Sequence, residues 1–514
     1  MPPISAPYTG KAIQPVIFRR RFGAVIAACA VGLSVGGAAI YLFSGGTPPP
    51  PPVGVTGNVW VSPSGSDTGS ACVWSATPVT APTAADACLT IDKAASLDPC
   101  TGAATARIFD STAFVTQTIT ETNTDACSSS TRLIIRPRTN VYTNNEVAGI
   151  SVDGSKHLEF RYINADAASI GNNCSGGCTS QSVANGGATR VSDDVHFTYG
   201  HCGAQFGGCG IFGATNSTFD HEDIKTGGCP YRQDTLVSGA GNCGAANSTP
   251  IVQIKTLDCA SSGAPGCPAR ALISDGTGSG FTNDAIFDIN RTNTADHLQC
   301  IFIGGAQDIA ITANKMWDCG GNQGILLTGN GDGLFPSGTI ENNYIGTICD
   351  SDGAGDCGAG NAINYNNDNG TDVLRAPLLI AFNSAAGNFV TGNSATPQTF
   401  SGTGVITWED NVISKMVQNN SSCVTTSATI VITNNWLLNP SCSYDKTLGL
   451  ASDHAYTNWA HATLPAHSDA APDMSLLPAA TTKIGTAGSR CAATDINGKP
   501  RLRTGCTVGA WQKP

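Results

Sequence analysis

Charged side chains are scarce in this chain, at 13% of its 514 residues, about half the share of an ordinary globular protein. No long stretch after the N-terminal region repeats apolar residues with a 3.6-residue period. The two deficits exclude a helical bundle and disfavour βαβ crossovers, so β-strands have to be joined by turns and loops.

A concentrated basic surface is also missing from the sequence. Lys and Arg number 27 against 38 Asp and Glu, for a net charge of -11 and a pI near 5.1. Because neutralisation of phosphates requires clustered basic side chains, this balance excludes nucleic acid as the partner.

In place of charged residues the chain uses glycine, with 60 residues, together with Ser, Thr, Asn and Asp. These small polar side chains bond to nearby backbone, interrupt helices and favour tight turns. The composition therefore predicts short strands in a repeat architecture, in which one domain takes up most of the chain.

The 21 cysteines indicate an oxidising compartment. Cys29 lies in an apolar segment, and the other twenty, from Cys72 to Cys506, form an even number, as expected for disulfides. Zinc is the alternative, because Cys174 and Cys178 have ligand-like spacing, but no second close pair with nearby histidines completes a tetrahedral set. Two pairs with short separations are predicted to be bonded: Cys349–Cys357 and Cys491–Cys506.

Residues 22–43 are uncharged and apolar, and about 22 helical residues span roughly 33 Å, enough for a bilayer core. Lys11 and three arginines at 19–21 precede this segment, and the next basic residue is Lys93. The positive-inside rule then predicts a membrane-anchored protein whose bulk lies in the periplasm or extracellular space. A cleaved signal peptide and a lipoprotein signal ending before Cys29 stay open, although the apolar run exceeds the usual h-region of about 7–15 residues.

Beyond a Pro/Gly-rich linker at 44–57, short β-rich runs alternate with Gly, Asn, Asp and Ser. A hydrophobic-x-x-Asn pattern recurs at intervals that suit coils of about 20–30 residues with variable loops. Asn tolerates left-handed backbone and can bond to the Asn of the next coil. The pattern predicts a structural ladder of five residues: Asn314, Asn343, Asn383, Asn411 and Asn435.

Several segments resemble secreted right-handed parallel β-helix proteins of the pectate-lyase-like superfamily. The opening VWVSPSGSD at 59–67 and CLTIDKAA at 88–95 look like their first strand and capping helix. The end, TDINGKPR at 494–501 and VGAW at 508–511, is similar to their closing segment, although Gln512 stands where an acidic residue is common. DHLQCIFIGG at 296–305 looks like a core coil of bacterial β-helix repeats.

The resemblance, over about residues 58 to 514, implies an all-β fold, a single-stranded right-handed parallel β-helix (solenoid) with a short N-terminal capping helix, preceded by one transmembrane helix. The expected boundaries are a cytoplasmic basic N-terminus at 1–21, the anchor at 22–43, the linker at 44–57, the β-helix at 58–480 and its closing segment at 481–514. The superfamily includes lyases, hydrolases, epimerases, tailspikes and adhesins, so it does not fix a reaction.

Cleavage of an acidic polysaccharide requires neutralisation of the uronate carboxylate, by calcium or Arg, and a base near the sugar C5 proton; a hydrolase instead uses paired carboxylates. The cluster that fits best lies at 288–299, where strand alternation directs His297 and Gln299 away from Leu298 and towards a groove. A solvated strand with an incidental histidine is the plain alternative. The predicted catalytic residues are Asp288, Arg291, Asp296 and His297, with Gln299 binding substrate.

A second polar group is superficially similar to polygalacturonase-type hydrolases, but the Asn-Thr-Asp element expected before the paired aspartates is missing. Ordinary polar turns are the alternative interpretation. From this group His201 and His221 are predicted to bind substrate. Its members are Asp193, Asp194, His196, His201, Asp220, His221, Glu222, Asp223 and Lys225.

The loop at 349–357 presents Asp350, Asp352 and Asp356 among glycines, a spacing typical of calcium loops, although the later bidentate Glu of an EF-hand is absent. A disulfide-closed turn without metal is the alternative. The sequence as a whole predicts a membrane-anchored protein that binds polysaccharide and, if it is an enzyme, cleaves it as a lyase or glycoside hydrolase. A non-catalytic surface adhesin or structural protein is the alternative.

Overall fold

The structure is a computed structural model. It describes residues 55–111, 113–142, 146–171, 191–202, 209–224, 252–255, 257–258, 272–274, 278–289, 299–319, 323–329, 334–346, 361–366, 372–385, 388–391, 400–413, 415–417, 424, 427–437, 446–447, 491–496, 500–501 and 506–510. The predicted anchor at 22–43 lies outside these ranges. Within them, no helix is long and apolar enough to span a bilayer.

Three long sheets of parallel strands make up the fold, with 12, 10 and 10 strands. Sheet I contains Val59–Val61, Ala104–Ile108, Leu133–Pro137, Lys156–Arg161, Asp193–Thr198, Thr218–Asp220, Gly280–Thr282, Ile309–Thr312, Gly338–Glu341, Leu378–Ala381, Ile406–Glu409 and Ile430–Thr433. Sheet II contains Asn164–Ala165, His201–Cys202, Asp223–Ile224, Ala285–Ile289, Lys315–Cys319, Tyr344–Ile345, Ser384–Ala385, Val412–Ile413, Trp436–Leu437 and Lys446–Thr447. Sheet III contains Gln117–Ile119, Ile150–Val152, Ala168–Gly171, Cys209–Phe212, Val252–Lys255, Ile301–Gly304, Gln323–Thr328, Asn361–Asn366, Asn388–Thr391 and Lys415–Val417.

Between residues 104 and 152 the described strands alternate between sheets I and III, and from Lys156 onward the chain visits the three sheets in turn, so that each circuit forms one coil of a solenoid. Lys156–Arg161 in sheet I leads to Asn164–Ala165 in sheet II and Ala168–Gly171 in sheet III. The next coil begins with Asp193–Thr198, which pairs in parallel with the strand Lys156–Arg161. Successive coils pair in this way along the sheets, which confirms the expectation of an all-β parallel solenoid.

The core follows from strand alternation. In Lys156–Arg161 the side chains of Leu158 and Phe160 are buried inside the solenoid, while Arg161 is only half-buried. Because the coils are in register, side chains of the same type at equivalent positions of successive coils stack on one another. Four phenylalanine rings form such a stack, with centroids 4.5, 5.1 and 5.2 Å apart: Phe160, Phe197, Phe219 and Phe281.

The asparagine ladder predicted from the sequence is confirmed. From Asn343 onward, each Oδ1 atom accepts hydrogen bonds from the backbone N–H and the Nδ2 atom of the preceding ladder asparagine; the four Nδ2 bonds are 3.1, 3.0, 3.0 and 2.8 Å long. Consecutive members are 29, 40, 28 and 24 residues apart. The row is Asn314, Asn343, Asn383, Asn411 and Asn435, all buried.

A short α-helix, Ile91–Ala95, follows the first strand of sheet I, as the resemblance implied. Its N-cap Thr90 accepts a hydrogen bond from the backbone N–H of Lys93, and Asp67 accepts one from the Thr90 hydroxyl. Ile91 is fully buried against the first coils. Two 3₁₀ turns, Ala84–Asp86 and Asn123–Ala126, and two antiparallel pairs, Thr56–Gly57 with Val79–Thr80 and Leu257–Asp258 with Leu272–Ser274, complete the described elements.

Disulfides join Cys72–Cys88, Cys100–Cys127, Cys202–Cys209 and Cys491–Cys506. The last confirms one predicted pair, and Cys349–Cys357 lies outside the described residues. The C-terminal residues pack along the corner between sheets I and II, where the Gly509 N–H donates to Asp410 O (2.7 Å).

Candidate functional site

The predicted catalytic cluster falls largely outside the described residues. Asp288 lies in the sheet II strand Ala285–Ile289, whose end is described for backbone alone. Arg291, Asp296 and His297 lie between the described ranges, and Gln299 is 5% exposed. The predicted calcium ligands Asp350, Asp352 and Asp356 also lie outside, so these roles stay predictions.

The second polar group is described except for Lys225, which lies outside the described residues, and the structure places Asp194, His196, Asp220 and His221 on the outer face of sheet I and at its corner with sheet II. We call this surface the charged face. Polar residues alternate there with the buried core residues of successive strands. Its members are Arg107, Arg132, Arg136, His157, Glu159, Arg161, Asp194, His196, Asp220 and His221.

Asp194 is the centre of the hydrogen bonding on this face. His157 Nδ1 lies 2.8 Å from Oδ2, and His196 Nε2 lies 3.0 Å from Oδ1. Arg132 donates to both oxygens, through Nε at 3.2 Å and through Nη2. Burial by itself would raise the pKa of the Asp194 carboxyl, but hydrogen bonds from the two histidines and Arg132 outweigh it and hold that pKa well below its usual value.

Three arginines lie side by side on consecutive coils of sheet I. Arg107 is paired in register with Arg136, and the same register places Arg136 beside Arg161. Burial and the charge of Arg136 lower the pKa of Arg107 to about 10. Burial and the charge of Arg161 lower the pKa of Arg136. The coils thus place three arginines on neighbouring strands, which lie about 4.8 Å apart, and form a basic cluster absent from the linear sequence.

The three arginines differ in their partners. Arg107 is buried and donates to Thr56 O at 3.1 Å and Pro137 O at 2.9 Å, so it is part of the structure. Arg161 donates to Glu159 and keeps 31% of its side chain exposed. Within the described ranges, neither Arg107 nor Arg136 forms a salt bridge with a carboxylate.

Aromatic rings continue the charged face at the corner between sheets I and II. Tyr162 and Tyr199 stack with centroids 5.6 Å apart, and Tyr199 and His221 stack at 4.8 Å. The Arg136 guanidinium lies over the Tyr162 ring at 5.8 Å. These rings come from residues with positive φ, one in each turn from sheet I to sheet II. Each turn therefore presents one side chain at the same corner.

Both histidines predicted to bind substrate lie at this corner. His221 Nδ1 lies 2.9 Å from Asp220 Oδ2. His201 is paired in register with Asp223 on the next coil, and its ring stacks on Tyr142 at 6.3 Å. Asp220 is held ionised: burial would raise its pKa, but hydrogen bonds led by that from His221 lower it.

The arrangement can hold an anion or move a proton through a histidine held by a carboxylate. It offers few free carboxylate lone pairs, because Asp194 and Asp220 already accept several hydrogen bonds. Metal ligation has little support within the described ranges. One group of three ligand atoms lies close together there, on Asp98, Cys100 and Cys127, and its two cysteines are joined in a disulfide.

Sequence reasoning missed the arginines and His157. No local signal marks them, because Arg132 and Asp194 are 62 residues apart. Knowledge of the coil register would have aligned Arg107, Arg136 and Arg161.

No family model matches the chain, and a search of the curated proteins found no match. Among solved structures, a rhamnogalacturonan lyase matches with a TM-score of 0.35 and 12% identity, over 73% of this chain and 87% of that one. A likeness at this level does not bear on activity or substrate.

Proposed function

We propose that this protein is an exported, membrane-anchored β-helix of the right-handed, pectate-lyase-like kind, which binds an acidic polysaccharide along the charged face. The observation that carries the proposal is the row Arg107–Arg136–Arg161, in which Arg136 and Arg161 are partly exposed, on a chain with a net charge of -11. Adjacent like charges repel, and an anion bound beside them relieves that repulsion. A polymer with a carboxylate on each repeat offers such anions in series.

Ring stacking supports a sugar ligand over an isolated anion. Tyr199 and His221 lie at the corner next to the arginines and are both partly exposed. Aromatic faces pack against the apolar faces of sugar rings, while arginines form bidentate hydrogen bonds to carboxylates. A glycan chain lying across coils would meet both kinds of contact.

A non-catalytic role as a surface adhesin is the second candidate, and the hydrogen bonding of Asp194 favours it. A carboxylate with a lowered pKa and both oxygens occupied is a weak general base. Cleavage, as a lyase or hydrolase, would then depend on residues such as His297, which lies outside the described residues.

Binding tests the proposal directly. We expect the detergent-solubilised full chain to be retarded in affinity electrophoresis by polygalacturonate or alginate, and not by dextran, with the retardation falling as salt rises. The double variant Arg136→Gln/Arg161→Gln should bind at least about tenfold more weakly. Arg375→Gln, an exposed arginine outside the charged face, is the matched control. Equal binding by the double variant, or equal retardation by dextran, would refute the proposal.

A reducing-sugar and unsaturated-product assay on the glycan that binds separates the two candidates. Product formation that is lost in His297→Ala, with binding retained, would establish an enzyme. Binding without product in either assay would establish the adhesin.

Calcium at Asp350, Asp352 and Asp356 is a further proposal, supported by the hard oxygen ligands that the loop provides. Chelation should lower the melting temperature, by an amount equivalent to about 2.7 kcal/mol when free calcium had been a hundredfold above its Kd. Asp352→Ala should abolish that response. An unchanged melting temperature after chelation would exclude the site.

The anchor is proposed from the apolar run at 22–43 and the basic residues before it. Detergent should release the full-length protein with its N-terminus intact, whereas high salt or alkaline wash should not. A soluble form beginning near Ser44 would show cleavage of a signal, and a lipid on Cys29 would show a lipoprotein.

A further inference from the structure

The turns from sheet I to sheet II share one backbone pattern along the solenoid. A residue with positive φ precedes the ladder residue in each, as Ala313 (58°) precedes Asn314. Asn283 (57°) precedes Asp284 in the same way, and His221 (57°) precedes Glu222. Two carboxylic acids thus occupy the ladder positions of the two coils before the first asparagine.

One oxygen of each acid performs the role of an asparagine Oδ1 atom. Asp284 Oδ1 accepts a hydrogen bond from the Glu222 backbone N–H at 2.8 Å, and Glu222 Oε1 accepts one from the Gly200 N–H at 2.8 Å. The Asp284 N–H in turn donates to Asn314 Oδ1 at 2.9 Å. The backbone side of the ladder is therefore continuous through both acids.

The second oxygen of each acid stands where an asparagine has its donor. Asn314 Nδ2 donates to Phe281 O at 2.8 Å and to Asn343 Oδ1 at 3.1 Å, so its surroundings are acceptors. Asp284 Oδ2 and Glu222 Oε2 are buried and have no hydrogen-bond partner among the described residues. An ionised carboxylate would place a further acceptor at these two points, whereas a protonated acid supplies a donor.

Gly200 occupies the ladder position of the coil before Glu222 and donates its N–H to that acid. A Cβ atom at Gly200 would lie 3.1 Å from Glu222 Oε2 and 2.2 Å from Ile163 O. The backbone of Ile163 on the preceding coil therefore requires glycine at this position, and the Glu222 carboxyl group lies close beside it.

We propose that Glu222 and Asp284 are neutral carboxylic acids that extend the asparagine ladder, their protons replacing the missing amide donors and making these coils sensitive to alkaline pH. Burial raises the pKa of both acids well above the usual value, and the negative charges of Asp220 and Asp223 raise that of Glu222 further. Within the described residues, the other titratable groups of these coils and their neighbours are Asp193, Asp194, His196, Tyr199, His201, His221, Asp308 and Lys315.

The site matters for the charged face because Glu222 lies between His221 and Asp223. Ionisation beneath this corner would weaken the turn that presents His221 and would loosen the stack of rings above it. The ladder would then couple pH to the surface proposed to bind polysaccharide. The coupling rests on the proposed function, but the protonated ladder does not.

The direction of the pH effect follows from the raised pKa values. The stabilisation is complete below the pKa of the unfolded acids, about 4, and is lost as pH rises through the pKa of the folded state. Between the pKa of the unfolded state and that of the folded state, each pH unit raises the unfolding constant about tenfold for each acid. Asparagine or glutamine at these positions carries no proton to lose.

The test compares the full chain with Asp284→Asn, Glu222→Gln and the double variant in urea unfolding from pH 4 to pH 9. Relative to the wild type, each variant should gain stability as pH rises, with an unfolding constant at least about tenfold smaller at pH 7. Asn314→Asp, which adds an acid to the ladder, should show the opposite trend. Asp308→Asn, outside the ladder, should follow the wild type.

An infrared measurement keeps the test decisive if a variant fails to fold. The wild type at pH 7 should show the C=O band of a protonated carboxylic acid, and the single variants that fold should lose part of it. Absence of that band, or the same pH dependence in Asp284→Asn as in the wild type, would overturn the proposal. A pH-dependent ladder in a protein that binds no glycan would refute the proposed function alone.

Discussion

His157 Nδ1 lies 2.8 Å from Asp194 Oδ2, although the two residues are 37 positions apart in the chain. Both residues have positive φ, 55° and 56°, at the same point of adjacent coils. His and Asp tolerate this left-handed backbone better than bulky residues do. This left-handed position, the second residue of each of these two sheet I strands, therefore places a histidine beside a carboxylate on the neighbouring coil.

The hydrogen bonds that Asp194 accepts predict a loss of stability in Asp194→Asn. The variant replaces an acceptor of four hydrogen bonds by an amide whose NH₂ group faces the donors of Arg132 and a histidine. The free energy of unfolding at pH 7 should fall by about 2 kcal/mol in urea titration. Asp193→Asn is the matched control, because Asp193 accepts from Thr215 and Asn216, and it should fall by about 1 kcal/mol or less.

The same variant has a defined pH dependence. The lowered pKa of Asp194 means that its stabilisation is present above the pKa of the unfolded chain, about 3.9, and is lost as pH falls through the folded-state pKa. The difference in the free energy of unfolding between the wild type and Asp194→Asn should therefore become smaller below about pH 4. A difference that is constant from pH 7 to pH 2 would contradict an ionised Asp194 carboxylate.

The fold could be predicted from the sequence because its repeating features are local. Ile311-x-x-Asn314 and its repeats encode one turn, and each turn must also satisfy its neighbour, so the asparagines recur. Phe281-x-x-Asp284 has the same spacing but carries an acid where the recurring motif has asparagine, so the predicted ladder did not include it. Phe219 and Glu222 have this spacing too, and the spacing alone could have identified both acids.

The charged face could not be predicted, because its members depend on coil lengths. Asp194 contacts Arg132 and His157 because the strand Asp193–Thr198 pairs in register with Lys156–Arg161 on the coil before it. Sequence spacing instead favoured His297 and Asp296, which are neighbours along the chain. Proximity in sequence identifies turns, whereas the faces of a solenoid are assembled from residues one coil apart.

The ladder predicts a large effect at its centre. Asn383→Ala removes bonds from Nδ2 to Ile340 O and Asn411 Oδ1 and leaves the Asn343 N–H and side chain without their acceptor. Buried groups without partners destabilise strongly, so the free energy of unfolding should fall by about 3 kcal/mol. The melting temperature by circular dichroism measures this.

The control for the ladder is Asn123→Ala, at an exposed asparagine in the turn Asn123–Ala126. It should change the free energy of unfolding by under about 1 kcal/mol. Equal effects at positions 383 and 123 would show that the ladder contributes no more than a surface hydrogen bond.

Substitutions at two adjacent arginines of the row, Arg107 and Arg136, are predicted to differ in their effect on the free energy of unfolding. Arg107→Ala should lower the free energy of unfolding by about 3 kcal/mol, because it removes bonds to Thr56 O and Pro137 O within the structure. Arg136→Gln should leave it within about 0.5 kcal/mol or raise it, since it relieves the repulsion of Arg107 and Arg161. Added salt should stabilise the wild type more than Arg136→Gln, and the reverse order would contradict a net repulsion among the three arginines.

The last prediction concerns Arg501, which fastens the C-terminal residues to the solenoid. Its guanidinium donates to Thr507 O (2.7 Å), Gly509 O (2.6 Å) and Asn342 Oδ1 (3.1 Å) and lies 5.2 Å from the centre of the Phe382 ring. Burial lowers its pKa to about 10, so the group stays protonated at neutral pH.

Lysine keeps the charge at position 501 but cannot reproduce a planar fork of donors. Arg501→Lys should therefore lower the free energy of unfolding by about 3 kcal/mol and speed proteolysis between residues 491 and 510, measured by mass spectrometry with the Cys491–Cys506 disulfide intact. Arg375→Lys, at an exposed position, should change the free energy of unfolding by less than about 0.5 kcal/mol. Its rate of proteolysis should equal that of the wild type. Unchanged proteolysis in Arg501→Lys would show that the disulfide and the backbone bonds hold this segment without the guanidinium.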